Sequence, residues 1–177
     1  MIERTFIVTK NETPIPQFEK HLGSMLGWFD KAEALAVEKK FDVNTLLSAR
    51  LAPDMYPLVK QVQVTCDTAK FLAARLTGTE APKHPDTETT VKELRDRIAA
   101  VRDYLGSFTD ASFEGGEARV VPLPFWPGKG MLGSDYATSM ATPNFYFHFS
   151  MAYAVLRHNG VDVGKTDYIG AIATVDL

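Results

Sequence analysis

Residues 142–160 read TPNFYFHFSMAYAVLRHNG. Thr142 has the side chain of an N-cap, Pro143 suits a first helical position and Asn159-Gly160 makes a stop. The stretch therefore predicts a helix whose apolar stripe runs through Phe145, His148, Ala152 and Val155. An imidazole on a buried stripe needs partners, because each polar group left unmet costs roughly 1–3 kcal/mol. Asn144 lies one turn earlier and points the same way, and helical bundles build metal sites from side chains projecting inward at such spacings. Two readings follow for Asn144 and His148: a satisfied polar corner of a core, or the remains of a metal site.

Three further segments repeat the same period. Ile15, Phe18, Leu22, Met25, Phe29, Ala32 and Ala36 alternate steps of three and four and end near KKFD. A second stripe opens at APDMYP, with Pro53 in its first turn, and runs Met55, Val59, Val62, Cys66, Ala69, Ala73 and Leu76 to a C-cap at Gly78. The third follows the polar linker TGTEAPKHPDTET, a surface loop. Thr90 and Glu93 have capping-box spacing, and Val91, Leu94, Ile98, Val101, Leu105 and Phe108 continue the period. Four amphipathic helices bury their faces most simply against one another, so the expected fold is an all-α four-helix bundle, with residues 1–177 forming one domain.

The texture changes in SFEGGEARVVPLPFWPGKGMLGSDYATSMA, residues 112–141, where Gly, Pro and aromatics replace the helical period. ARVVPLPF and MLGSDYAT either pair as a short β-hairpin or pack as an irregular crossover, and Pro122 and Pro124 confine the first strand to an edge. The tail VDVGKTDYIGAIATVDL shows no helical stripe and is expected as loop and extended chain.

Composition narrows the function classes. The 19 basic residues are scattered among 22 acidic ones for a net charge of -3, which argues against nonspecific nucleic-acid binding. No apolar run approaches the 18 or more residues of a membrane span. MIERTFIVTK lacks the pattern of a secretory signal, so the cytoplasm is the expected location. The single cysteine, Cys66, excludes an internal disulfide and Cys-pair metal motifs.

Of the remaining candidates, Gln63 flanks the second stripe with Asp67 one turn later, and matters if it meets His148. Cys66 lies on the stripe itself and is expected as a small buried hydrophobe. His21 and His84 are expected in solvent, and Arg157 and His158 at the end of the fourth helix as partners of its last carbonyls. Tyr136, Trp126, Phe125, Tyr146 and Phe147 either line a pocket, anchor the long connection or form a dimer surface. No phosphate loop, dinucleotide fingerprint, nucleophile elbow or H-E-x-x-H motif occurs.

The stretches ARLAPDMYPLVKQVQVTCDTAKFLAARLTG, FHFSMAYAVLRHNG and HNGVDVGKTDYIG resemble a bacterial domain-of-unknown-function family within the DinB/YfiT-like superfamily, over nearly the whole chain. The resemblance implies a DinB-like four-helix bundle. It also implies, for many members, a divalent metal held by three His, one from the second helix and an H-x3-H pair in the fourth, serving thiol-dependent transferases or hydrolases. His148 matches the second His of the pair, Asn144 stands in place of the first, and the second-helix position falls near Gln63; the second helix has no His. The resulting expectation is a degenerate metal site at Gln63, Asn144 and His148 in a homodimeric protein that binds a small molecule. The competing expectation is a transferase or hydrolase in which these residues, with Asp67, hold a weakly bound divalent metal. A third is an interaction protein using the aromatic insert.

Overall fold

The four stripes form four long helices. α1 spans Ile15–Lys39, α2 Leu58–Thr77 and α3 Val91–Gly106; a single turn, α4 (Gly133–Asp135), then precedes α5 (Thr142–His158), and a short α6 (Lys165–Ile169) follows. These elements are those of a computed structural model that describes residues 9–176. MIERTFIV, read above for a secretory signal, lies outside the described residues.

Every member of the first stripe is buried, from Ile15 to Ala36, and α1 stops at Lys40, whose backbone turns left-handed at φ 58°. The capping box opening α3 forms as predicted: Glu93 N–H donates to the Thr90 hydroxyl at 3.2 Å, and Thr90 N–H donates to the Glu93 carboxylate at 2.9 Å. α2 starts later than the sequence predicts. Pro53 and Pro57 withdraw two N–H donors, and Pro57 holds an extended backbone as N-cap, so the helix begins at Leu58, whose N–H donates to Ala49 O.

The fourth bundle helix starts earlier than predicted. Thr142 is not an N-cap: its backbone is helical, and both its N–H and its hydroxyl donate to Ala137 O, five residues back. Tyr136–Ala141 form a π-helical turn joining α4 to α5. Pro143 lacks an N–H and disturbs the ladder of an ordinary helix here; the wider turn accommodates it.

The insert does form a hairpin, shorter than the two segments allowed. β1 (Val120–Pro122) pairs antiparallel with β2 (Gly130–Leu132), Val121 opposite Met131. The tail is not wholly extended. Gly164 N–H donates to the Asp167 carboxylate at 2.7 Å and caps α6, a helix too short to show a 3.6-residue period. Trp28 Nε1 on α1 donates to Asp167 O at 3.1 Å and fastens this segment to the bundle.

α2 lies between α3 and α5, and α1 closes the ring by packing on α3 and α5. Phe18 of α1 stacks on Phe145 of α5 with ring centroids 3.8 Å apart, in a core that also takes in Leu22, Phe149, Leu94 and Ile98. Among the described residues no helix is long and apolar enough to cross a membrane.

Candidate functional site

The α2–α5 seam brings the sequence's polar residues together with one change of partner. Gln61, Thr65 and Thr68 follow each other at helical spacing along the α2 face that meets α5. His148 Nδ1 lies 2.8 Å from Gln61 Oε1, so Nδ1 carries the proton and donates it. Gln61 Nε2 donates in turn to Tyr56 O at 3.0 Å, and the Tyr56 ring stacks over the imidazole at 21° and 6.2 Å. Asn144 Nδ2 donates to the Thr68 hydroxyl at 2.7 Å, and that hydroxyl donates to Val64 O. His148 is 8 % exposed; burial, reinforced by the positive charge of Lys60, pushes its pKa down, so the ring is neutral at pH 7.

Gln63, the expected companion of His148, lies on the other flank of α2. Its Nε2 donates to Glu88 at 2.8 Å, and Gln61 occupies the position facing the imidazole. Gln63 belongs to a charge network between α2, the α2–α3 linker and α3. At its centre the buried Arg97 donates to Asp67 (2.6 Å), Asp86 (2.9 Å) and Glu88 (2.8 Å). Lys70, 2 % exposed, pairs with Asp67 at 2.8 Å and touches His84 Nδ1 at 3.0 Å; Lys60 pairs with Asp86.

The linker is therefore not a plain surface loop: Asp86 and Glu88 wrap Arg97. Burial favours the neutral forms of both carboxyls, but Arg97, with Lys60 on Asp86 and the Gln63 amide on Glu88, outweighs it and lowers both pKa values. His84, expected in solvent, is half-buried, and burial together with Lys70 and Arg97 lowers its pKa.

Two further expectations change. His21, also expected in solvent, is 6 % exposed among the rings of Tyr146, Phe149 and Tyr168; its Nδ1 has no partner among the described residues, and burial and Lys20 lower its pKa. Its spacing from Phe18 and Met25 is the signal that places it on the buried face. At the end of α5 the last carbonyls are met by Asn159, whose side chain donates to Val155 O at 2.8 Å, while Arg157 turns to Asp162. Cys66 is fully buried, as expected, and burial pushes its thiol up to about 12, which removes it as a nucleophile at neutral pH.

The five aromatics do not gather. Phe125 and Trp126 stand exposed on the hairpin, Phe147 is exposed on α5, Tyr146 donates to Gln17, and Tyr136 is buried against Arg75.

In front of Asn144 the surface opens into a depression of about 210 Å³, bordered by Asp67, Thr68, Phe71, Arg75, Tyr136 and Asn144. The donor set beside it does not fit a borderline divalent metal. Neutral amide oxygens are weak ligands for such ions; with Nδ1 on Gln61 and Nδ2 on Thr68, His148 and Asn144 offer one imidazole nitrogen and one amide oxygen, and Gln63 faces away. Among the described residues no three His, Cys, Asp or Glu side chains gather around a point where an ion would sit.

The ring of four helices and the α2–α5 seam define a DinB-like four-helix bundle. Residues 11–169 match the family described as domain of unknown function (DUF1993), and the chain belongs to that family. It is similar to a solved structure, the crystal structure of a DinB family member protein from Shewanella denitrificans, at 49% sequence identity over 92% of this chain and 93% of that one, with a TM-score of 0.89. No curated protein matches it.

Proposed function

We propose that this chain is a bacterial, cytoplasmic small-molecule-binding protein in which the metal centre of its superfamily is degenerate, and that the ligand enters the depression beside Asn144. One observation carries the reading: the polar side chains at the inherited metal position hydrogen-bond to one another, His148 to Gln61 and Asn144 to Thr68, while a lined depression persists next to them. A site held together by its own hydrogen bonds keeps its shape without an ion. Depressions that mix apolar walls with a few convergent polar groups are the usual form of small-ligand sites. The unpaired Cys66 is in keeping with a reducing compartment.

The exposed Phe125 and Trp126, at 55 % and 62 %, are the basis for proposing a homodimer that buries the hairpin. The competing enzyme reading needs Asn144 and His148, with Asp67, to hold a divalent ion that activates a thiol or water. It draws on Asp67, whose Oδ1 is already shared by Lys70 and Arg97.

Two measurements test the proposal. The first is elemental analysis of protein purified without chelator, beside His148→Ala. Stoichiometric zinc, nickel, manganese or iron that disappears in the variant overturns it in favour of the enzyme; absence of all four supports it. The second is a fragment screen by NMR. Shifts at Phe71, Arg75 and Asn144 support a ligand site, and their absence for every fragment overturns it.

A further inference from the structure

The depression beside Asn144 has an electrostatic character that follows from counting its charges. On the linker side of α2, the cations Lys60, Lys70 and Arg97 meet the carboxylates Asp67, Asp86 and Glu88, so that network is balanced. Arg75, two turns beyond Asp67 along α2, has no carboxylate partner among the described residues. Its guanidinium lies between the rings of Phe71, at 5.3 Å, and Tyr136, at 4.9 Å, and donates to the Tyr136 hydroxyl. A guanidinium is rigid, planar and weakly hydrated, and here two aromatic faces and a hydroxyl already hold it in place.

Arg75 borders two openings on either side of Phe71: the depression of about 210 Å³ and a groove of about 580 Å³ on the linker side. On the groove's walls Asp67, Glu80 and Asp86 are paired with Lys70, Lys83 and Lys60, so its charges balance and favour no anion. The smaller depression has one carboxylate, Asp67, which is already shared between Lys70 and Arg97 through the same oxygen, and its other walls include Val64, Met140 and Phe71. Phe71, 37 % exposed, supplies a flat apolar face.

We infer that this depression binds a small monocarboxylate with an apolar body, its carboxylate on Arg75 and its hydrocarbon or ring part against Phe71. One uncompensated positive charge matches one negative charge; a phosphate dianion calls for more than one cation. A planar carboxylate also accepts from a guanidinium edge in the bidentate manner that makes arginine the preferred residue for this group. At about 210 Å³ the volume falls below the roughly 300–1,000 Å³ of sites for drug-sized ligands, so the ligand is small. This inference rests on the proposed ligand site and names the chemistry that the site selects.

The test is a titration of the full chain with benzoate, benzamide and inorganic phosphate, followed by NMR. Benzoate should bind at least tenfold more tightly than benzamide or phosphate and shift the amides of Phe71, Arg75 and Asn144. Arg75→Met should weaken benzoate at least tenfold without changing benzamide. Equal affinity for benzoate and benzamide overturns the inference, as does undiminished benzoate binding in the variant. If Arg75→Met fails to fold, the wild-type comparison of benzoate with its uncharged amide decides alone. Neutral fragments that bind while benzoate does not sink the carboxylate class and leave the ligand site standing; if nothing binds, both fall.

Discussion

Gln61 Oε1 accepts from His148 Nδ1 across the α2–α5 seam at 2.8 Å, and this bond satisfies one ring nitrogen of a buried imidazole. Gln61→Leu leaves that N–H without an acceptor and is expected to destabilise the protein by about 1–3 kcal/mol, the usual cost of orphaning a buried donor. Urea denaturation measures it. Gln61→Leu with His148→Phe removes both partners and should recover part of the loss; no recovery would mean that the bond is not what the single variant removes.

Arg97 holds three carboxylates with a side chain that is 1 % exposed. Arg97→Ala leaves Glu88 without a counter-charge while Asp86 and Asp67 keep Lys60 and Lys70, and breaking a buried pair in this way costs about 3–5 kcal/mol. The loss should appear as a lower denaturation midpoint together with faster amide exchange in the α2–α3 linker. A loss below about 1 kcal/mol would show that the network is solvated in solution.

Acid should unfold the protein in two stages. Burial, with nearby Lys20, Lys70 and Arg97, or Lys60, holds the pKa values of His21, His84 and His148 below the usual 6.5. Between the folded and unfolded values the unfolded chain binds more protons, so stability falls as pH drops below about 6.5. Asp86, Glu88 and Asp167 are lowered from 3.8, 4.5 and 3.8, and the stability they contribute is present above those values and lost as pH falls through the lower folded ones. Urea midpoints between pH 8 and pH 3 test both stages. His84→Gln should shrink the first; a midpoint that rises between pH 7 and pH 5 would contradict the assignment.

Cys66 should resist iodoacetamide in the native protein and react on unfolding, because burial and a thiol pKa pushed up to about 12 deny the reagent a thiolate. Mass spectrometry of native and urea-treated samples separates the cases. Rapid native labelling would require the α2 core to open locally.

Trp126→Ala should leave thermal stability unchanged, since the side chain is 62 % exposed, and should weaken self-association on sizing if the hairpin forms the dimer. An unchanged elution volume would move the interface elsewhere.

What the sequence carried was local. The Thr90–Glu93 box and the stripe to Leu105 needed no tertiary context, and α3 begins where they put it. The N-terminus of α5 misled because Thr-Pro fits an N-cap as well as the interior of a helix relieved by a π turn, and only the residues before it, wound onto Ala137, decide between them. The polar residues along the α2–α5 seam were legible to within one change of residue. His148 was read from the stripe and Asn144 from its place one turn earlier; the α2 position, counted back from Gly78, fell on Gln63 when Gln61 faces the seam. Arg97 and His84 left no local mark: their burial depends on a linker folding back over α2 and α3, a long-range event that no periodicity encodes.

The π turn at Tyr136–Ala141 also has a consequence for phase. One extra residue in a turn shifts everything before it by about 100° relative to an unbroken helix. The Tyr136 ring lies over Arg75 in that shifted phase, and the hairpin leads into the same segment. Deleting Thr138 or Ser139, neither of which lines the depression, would rewind the segment and carry Tyr136 off the guanidinium. Chain length here sets a contact: one residue of slack in the backbone lays a tyrosine over an arginine.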